Sequence, residues 1–226
     1  MTKPEGKKAV VLLSGGLDSA TTLYVARRKG YRVTALIFDY GQRHRKEVLA
    51  AKKIAGRALC PHKVIRISFP WKGSALLDRA AAITENPPFT RSAQAIPATY
   101  VPSRNIIFLS FAASFAEALG ARAIFIGANA IDYSGYPDCR PQFLKAFQKM
   151  LSLGTKAGVE NRPIRIFAPL VRKTKKEIIR LGMKLGVPYQ LTWSCYQGRS
   201  RPCGVCDSCR LRQKGFAALK TKDPAL

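Results

Sequence analysis

A chain of 226 residues, 47% of them apolar, is long enough for one compact domain with a small appendage and too apolar to be disordered. Its 39 Lys and Arg residues outnumber 13 Asp and Glu residues, and the net charge of +26 creates a positive field that attracts anions. It lacks the roughly 18 consecutive apolar residues of a membrane-spanning helix, and residues 1–8 are too polar for a signal peptide, so we expect a soluble, cytoplasmic protein.

Short apolar runs alternate with segments of helical periodicity along most of the chain. The predicted strands are 9–13, 33–38, 64–67, 123–126 and 164–167. The predicted helices are 19–28, 45–59, 105–119, 142–153 and 175–185. Because strands and helices alternate, we expect an α/β fold with a mostly parallel five-stranded sheet and helices on both faces. The proline-containing segment 68–104 and the polar segment 127–141 are predicted to be long loops.

The loop SGGLDS, Ser14–Ser19, joins the first predicted strand to the first predicted helix. Its two glycines allow a tight turn that brings backbone N–H groups to a ligand, and the positive end of the helix points to the same place. This arrangement is typical of a phosphate or pyrophosphate site, but the loop lacks the lysine used for transfer of a terminal phosphoryl group. The alternative is an ordinary turn with a serine N-cap. Asp18 suits a magnesium ligand, or a carboxylate that caps the helix.

Four of the six cysteines crowd one stretch near the C-terminus, which argues for a metal and against a disulfide framework. They are Cys195, Cys203, Cys206 and Cys209, spaced C-x7-C-x2-C-x2-C. Four thiolates form a closed site of the kind that holds structural zinc, while an iron–sulfur cluster and a redox-active pair are the alternatives. We predict one zinc per chain, in a small module at 191–226 docked on a catalytic domain at 1–190. Cys60 and Cys139 are predicted to be packed, inert thiols.

Polar residues of the two long loops are the candidates for substrate binding: Arg104, Asn105, Asp132 and Arg140. They follow predicted strands, at the sheet end where parallel sheets bind ligands. Arg104 or Arg140 could pair with a carboxylate through two hydrogen bonds, and Asp132 could accept hydrogen bonds from a guanine-like base. A solvated loop charge is the alternative for each. His44 is explained equally well as a surface or packing residue and as a catalytic one.

Longer blocks of sequence carry a resemblance to one family. The blocks are SGGLDS, FDYGQRHRKE at 38–47, VPSRN at 101–105, GYPDCRP at 135–141, KKEI at 175–178, TWSCYQG at 192–198 and CGVCDSCRLR at 203–212. The first resembles the signature of PP-loop ATP pyrophosphatases, and together the blocks resemble the 7-cyano-7-deazaguanine synthases from about residue 9 to 216. One departure is Gln142, where that family often has Glu.

The resemblance implies an ATP-dependent ligase that converts 7-carboxy-7-deazaguanine and ammonia into 7-cyano-7-deazaguanine, through an adenylate and an amide. It implies a homodimer, structural zinc, Mg²⁺ with ATP, and catalytic roles for Asp18 and Lys175. Lys175 would contact a phosphate, although a lysine at a helix N-terminus is the simpler explanation. The implied ATP-binding residues are Leu13, Ser14, Gly15, Gly16, Leu17, Asp18, Ser19, Ala20, Thr21, Thr22 and Leu23.

Two other functions are compatible with the positive charge. A PP-loop tRNA-modifying enzyme of the thiolase or lysidine-synthetase type commonly carries an extra RNA-binding domain, for which 226 residues leave no room. A basic zinc-knuckle RNA-binding protein would leave the SGGLDS loop unexplained, and the sequence lacks clusters of aromatic residues beside basic ones. Because the basic residues are spread along the chain, a dedicated nucleic-acid partner is the less favoured hypothesis.

Overall fold

The computed structural model describes residues 6–78, 80–83, 96–131 and 136–225. The strands in this part of the chain are β1 Lys8–Leu12, β2 Arg32–Asp39, β3 His62–Arg66, β4 Ala123–Phe125 and β5 Arg165–Phe167. They form one five-stranded sheet in the order β3-β2-β1-β4-β5, and every neighbouring pair is parallel. The predicted parallel α/β fold is confirmed.

The helices of the described residues are α1 Leu17–Arg28, α2 Lys46–Arg57, α3 Arg104–Ala118, α4 Pro141–Gly154, α5 Lys156–Val159, α6 Lys175–Lys184 and α7 Asp207–Ala217. Single 3-10 turns lie at Pro137–Cys139 and Tyr189–Leu191. In the described residues between β3 and α3 there is no further helix or strand, as expected for a long loop. None of the described helices combines the length and apolar character that crossing a bilayer requires.

Two apolar cores sandwich the sheet, because successive strand residues point to opposite faces. Val11 of β1 lies in a core that also contains residues of α1, α2, α6 and α7. Its neighbour Val10 lies in the second core, which α3 and α4 cover. β1 is therefore buried on both faces, and this explains why the run at 9–13 is apolar throughout.

The direction of strand addition reverses at β1, since β2 lies on one side of it and β4 on the other. In open parallel sheets, ligands bind outside the carboxyl ends of the strands at such a reversal. The segments that follow β1 and β4 touch there. A Cβ placed on Gly127 would lie only 3.0 Å from the backbone nitrogen of Ser19, so a glycine is required for this contact.

Helix α7 is the main element that the sequence pattern does not predict. The residues that it buries include Cys209, Arg212 and Gly215, which give no clear apolar periodicity. The helix packs on α6, and its Phe216 joins the core that contains Val11. The C-terminal segment thus contacts the sheet domain directly, and its division into domains at 1–190 and 191–226 stays a prediction.

Candidate active site and metal centre

The loop between β1 and α1 is held in shape by its two serines. The backbone N–H and the hydroxyl of Ser14 both donate to Ser19 Oγ, at 3.2 and 3.0 Å, and Ser19 Oγ donates to the Gly16 carbonyl at 3.0 Å. The N-cap of α1 is Gly16, which supplies no side-chain cap, and not a serine. The N–H groups of the first helical turn can therefore bind an anion at this loop.

Gly15 fixes the same loop against α2. Its φ of +92° lies in the left-handed region. A Cβ at this position would lie 2.2 Å from the Glu47 carbonyl oxygen and 2.7 Å from the Ala51 backbone nitrogen. No other residue fits this contact without moving backbone, so the position of the loop depends on glycine here.

Asp18 and Lys175 are distant in sequence but form an ion pair beside the loop. Lys175 Nζ donates to both carboxylate oxygens of Asp18 at 2.8 Å. Lys175 is the first residue of α6, and a capping box between Thr174 and Glu177 fixes that helix end. The pair therefore places a lysine cation next to a loop that lacks one of its own.

A cavity of about 220 Å³ lies between this loop and the beginning of α3. The predicted site residues that line it are Leu13, Ser14, Gly16, Leu17, Asp18, Ser19, Arg104, Asn105 and Lys175. The remaining predicted ATP-binding residues do not line it: Gly15 packs on α2, and Ala20, Thr21, Thr22 and Leu23 are buried within α1. The structure thus brings together the two loop regions that the sequence singled out separately.

One wall of the cavity is aromatic. The rings of Phe38 and Phe108 are stacked, with centroids 3.9 Å apart and planes 6° from parallel. Next to them the half-buried Arg104 donates from Nη1 to Tyr40 Oη at 3.2 Å. Burial raises the pKa of Tyr40, so its phenol stays neutral and can accept this bond. A flat apolar surface and a cation lie side by side, which suits an aromatic ligand that carries a carboxylate.

Asn105 is held in place by the 3-10 turn that precedes α4. Its backbone N–H donates to Asp138 Oδ2 at 3.0 Å, and its side-chain amide donates to Cys139 Sγ at 3.3 Å. Cys139 lines the cavity, and burial followed by the nearby Asp138 carboxylate raises the pKa of its thiol to about 12. The thiol is therefore protonated at neutral pH and is a poor nucleophile.

Of the other two predicted substrate residues, the structure describes only one, and that one does not line the cavity. Arg140 is the exposed N-cap of α4 and does not line it. Asp132 lies outside the described residues. Both assignments stay predictions. Asp132 was the predicted hydrogen-bond acceptor for a guanine-like base, and we assign no described residue to that role.

His44 and Glu47 line the cavity on the side of α2. His44 is only 1% exposed, so it is not a surface histidine. Its Nε2 lies 2.9 Å from Glu47 Oε2. Sequence reasoning left His44 open and did not single out Glu47, although the two stand three residues apart at the start of a predicted helix.

The four clustered cysteines converge on one point in the fold. Their sulfur atoms all lie within 4.8 Å of one another, and Cys203 Sγ is 4.0 Å from Cys209 Sγ. Zn–S bonds of about 2.3 Å in a tetrahedron would separate the sulfurs by about 3.8 Å, so the arrangement fits a metal ion. Hydrogen bonds among these sulfurs lower the pKa of Cys195 and raise the pKa of Cys206 and Cys209, so Cys195 is the first of the three to become a thiolate, the form that binds metal.

Arg212 connects the C-terminal segment to the cavity, and sequence reasoning did not single this residue out. The buried guanidinium donates to both carboxylate oxygens of Asp223, at 2.5 and 2.8 Å, and to Thr192 Oγ1 at 2.7 Å. It also lines the cavity. Its position in α7, between a metal-ligand cysteine and Phe216, was the only signal available from sequence.

The sequence model of the family described as queuosine biosynthesis protein QueC matches residues 8–220. The chain belongs to this family. It is 54% identical over 230 residues to the 7-cyano-7-deazaguanine synthase of Anaeromyxobacter sp. (strain Fw109-5), covering 100% of this chain and 98% of the relative. The synthase of the same name from Nostoc punctiforme is 53% identical, with 96% and 98% covered. The one from Ectopseudomonas mendocina is 55% identical, with 96% of both chains covered. The resemblance read from the sequence blocks is confirmed.

A solved structure supports the fold of this QueC-family chain. The crystal structure of a 4-thiouridine synthetase in complex with RNA and bound ATP has a TM-score of 0.52 over 94% of this chain and 54% of that chain. At 18% sequence identity, this similarity concerns the fold alone.

Proposed function

We propose that this chain is an ATP-dependent ligase that converts 7-carboxy-7-deazaguanine and ammonia into 7-cyano-7-deazaguanine. The observation that carries the proposal is the full-length similarity to relatives named for that product, at 54% identity over 100% of the chain. The cavity supports it, because a phosphate loop, a cation and an aromatic wall enclose one volume of about 220 Å³.

ATP is proposed to bind at the cavity-lining part of the predicted 13–23 segment, with its phosphates on the Ser14–Ser19 loop and residues 20–23 supporting that loop from within α1. The first-turn N–H groups of α1 and the nearby Lys175 ammonium supply positive charge for the phosphates. Because the loop holds no lysine, attack at the α-phosphate with pyrophosphate as the leaving group is the use that fits it. The Asp18 carboxylate is a hard oxygen ligand that would hold Mg²⁺ with the phosphates, which would free Lys175 to contact a phosphate.

The deazaguanine is proposed to stack on the aromatic wall with its carboxylate towards Arg104. The stacked Phe38 and Phe108 rings offer a flat apolar surface, and Arg104 is fixed by its bond to Tyr40. Asn105, held by Asp138, lines the same part of the cavity and can donate to the substrate. Asp132 and Arg140 remain proposed contacts from the neighbouring loop.

The reaction then proceeds through two activations. A carboxylate oxygen attacks the α-phosphorus of ATP, and pyrophosphate leaves with the electron pair of the broken P–O bond. Ammonia attacks the acyl carbon of the adenylate, AMP leaves, and a primary amide forms. The amide oxygen then attacks the α-phosphorus of a second ATP and pyrophosphate leaves again; loss of AMP with the C–O bond pair and of the two nitrogen-bound protons gives the nitrile. The residues around the cavity supply orientation and charge, which are the main sources of catalysis for such transfers.

Zinc is proposed as the metal of the four-cysteine site, with a structural role. Four thiolates fill a tetrahedral ion and leave no position open for substrate. Backbone N–H groups support the sulfurs, since Cys203 N–H donates to Cys195 Sγ at 3.3 Å and Cys206 N–H to Cys203 Sγ at 3.4 Å. The ion would fix the start of α7, and through it the position of Arg212 at the cavity.

A homodimer in the cytoplasm is the proposed working form. Residues 105–116 of α3 carry no charge in a chain of net charge +26, and Ile106 and Phe111 are 39% and 41% exposed. This face suits contact with a second copy of the chain. All six cysteines are free thiols, which fits a reducing compartment that also supplies ATP.

The test is a reaction with ATP, Mg²⁺, ammonium and the free carboxylated base. We expect the nitrile by mass spectrometry, together with AMP and pyrophosphate. ADP and orthophosphate as products would overturn the assignment of the phosphate loop. A parallel reaction with unmodified tRNA serves as the second arm: modified tRNA, with no nitrile from the free base, would identify a tRNA-modifying enzyme instead.

A further inference from the structure

His44 has an unexplained ring nitrogen at the edge of the cavity. The side chain is 1% exposed, and its Nδ1 is buried without a hydrogen-bond partner among the residues that the structure describes. Leaving a buried polar atom unpaired is costly, so such atoms are rare and call for an explanation. The buried Gln42 close by is fully engaged, with Oε1 accepting from Tyr40 N–H and Nε2 donating to the Phe38 carbonyl. Thr22 Oγ1 and Asp138 Oδ1 also lack a partner among the described residues, but neither residue lines the cavity, so the unpaired atom at the cavity belongs to His44.

The geometry determines the chemical character of that nitrogen. Glu47 Oε2, 2.9 Å from His44 Nε2, belongs to a carboxylate, which can only accept a hydrogen bond. Nε2 must then carry the hydrogen, and in a neutral imidazole the other nitrogen, Nδ1, holds a free lone pair. The pair thus offers an acceptor backed by a negative charge, as in other histidines that a carboxylate orients to take up a proton.

This pair lies next to the place where the adenylate is proposed to form. Both residues line the cavity, and Glu47 Oε1 lies 4.0 Å from the position of a Cβ built on Gly16, in the phosphate loop. The ring of Tyr196 is 5.7 Å from that of His44, which adds an aromatic neighbour. A lone pair, a carboxylate and an aromatic ring favour a small cation with N–H donors and disfavour an anion.

We propose that His44 and Glu47 form the site that binds ammonium and removes its proton. This inference rests on the proposed function, which requires ammonia as the nucleophile. In a chain of net charge +26 the overall field repels a cation, so a local carboxylate such as Glu47 is needed to hold ammonium in the cavity.

The proposed step balances as follows. Ammonium gives one proton to His44 Nδ1, and the resulting imidazolium is paired with Glu47. The lone pair of the ammonia attacks the acyl carbon, a C–N bond forms, and the C–O bond to AMP breaks with its electron pair leaving on AMP. The new nitrogen then loses a second proton to solvent, which gives the neutral amide.

The experiment separates adenylation from ammonia capture by comparing His44→Gln with the wild type. Carboxylate-dependent ATP–pyrophosphate exchange needs no ammonia and should stay within about twofold of wild type. The kcat/KM for ammonium should fall by about 100-fold, the usual contribution of a general base. Hydroxylamine is mostly uncharged at neutral pH and needs no base, so hydroxamate formation by the variant should remain near the wild-type rate. His62→Gln is the matched control, since His62 is the other histidine and is exposed on β3.

Each other outcome has a definite meaning. Parallel losses of exchange, hydroxamate and amide formation in His44→Gln would show a structural role and overturn the inference. Unchanged ammonium kinetics would overturn it too, and would leave a buried water as the partner of Nδ1. If His44→Gln does not fold, Glu47→Gln tests the same prediction, because it should raise the half-saturating ammonium concentration while exchange persists. Absence of exchange in the wild type would contradict the proposed function itself.

Discussion

At the scale of single residues, the ion pair between Asp18 and Lys175 ties the phosphate loop to the start of α6. Both N–O distances are 2.8 Å, and the Lys175 side chain is 9% exposed. We expect Asp18→Asn to lower AMP formation by at least about 100-fold, since an amide neither holds Mg²⁺ nor orients Lys175. Steady-state assays and thermal unfolding check this, with the fold expected to persist. Asp78→Asn is the control, because the Asp78 carboxylate accepts a hydrogen bond from Ala80 N–H, two residues away, and does not line the cavity. Wild-type turnover in Asp18→Asn would exclude a catalytic role.

A second prediction at this scale concerns how the buried thiol of Cys139 makes the free energy of unfolding depend on pH. Its pKa is raised from 9.0 to about 12, by burial first and by Asp138 second. A group that holds its proton more tightly when folded stabilises the fold fully below its unfolded pKa, and this stabilisation is lost as pH rises through the folded value. We therefore expect the free energy of unfolding to fall more steeply from pH 9 to 12 in the wild type than in Cys139→Ala, by up to about 1.4 kcal/mol per pH unit. Urea denaturation at several pH values measures both slopes, and equal slopes would contradict the prediction.

At the scale of elements, the contact between α6 and α7 depends on Gly215. A Cβ there would lie 2.6 Å from Ile179 Cδ1 and 2.7 Å from Lys175 Cγ. Gly215→Ala should push α7 away from α6, displace Lys175 and reduce turnover by about tenfold or more, since small misplacements of binding groups are costly. Gly56→Ala is the matched control, because Gly56 also lies in a helix and has no atom within 4 Å of its Cβ position. That control should stabilise the fold by about 0.5–1 kcal/mol. Equal activity of the two variants would show that the α6–α7 contact does not position Lys175.

The four-cysteine cluster lies at the other end of α7. Cys206 is the N-cap of the helix, and Cys209 lies within its first turn. We expect one zinc per chain by elemental analysis. Cys206→Ser should destabilise the C-terminal segment by several kcal/mol, because structural zinc contributes on the order of 10 kcal/mol in small modules. In Cys206→Ser, hydrogen exchange should show the first loss of backbone amide protection in α7. Detection of iron and acid-labile sulfide in place of zinc would indicate an iron–sulfur cluster and contradict the assignment.

The elements differ in how far sequence predicts them. The strands, α1 to α4 and α6 were predicted from local apolar patterns, and the phosphate loop from glycines between a strand and a helix. Helix α7 could not be predicted, because Arg212 and Gly215 face inward only through their contacts with Asp223 and Lys175. The nearness of Asp18 to Lys175, 157 residues apart, likewise depends on the fold and not on spacing. Arg104 and Asn105, singled out because their loop follows a strand at the sheet end, line the cavity, whereas Arg140, in the same kind of loop, does not.

At the scale of the whole molecule, the excess of positive charge behind the net charge of +26 lies mainly on the surface. Several of the 13 acidic residues are engaged inside the fold or at helix ends. Their described partners are Lys175 for Asp18, His44 for Glu47, the Ala157 N–H for Glu117, the Asn105 N–H for Asp138, the Thr174 N–H for Glu177 and Arg212 for Asp223. Lys and Arg outnumber the carboxylates 39 to 13, so the field around the molecule is positive at long range.

This positive surface predicts non-specific binding of nucleic acid that is independent of the catalysed reaction. We expect tRNA to bind non-specifically, with a Kd of about 10⁻⁴–10⁻⁶ M at physiological salt. The affinity should drop by orders of magnitude between about 50 and 200 mM salt if several phosphates are contacted, because counterions are released on binding. The KM for the free carboxylated base should change far less over the same range, since one bidentate contact with Arg104 involves a single charge. Filter binding and steady-state assays at matched salt measure the two. A carboxylate KM that rises in parallel with the tRNA Kd, or a rate that tRNA stimulates at high salt, would show that the basic surface belongs to the catalytic function after all.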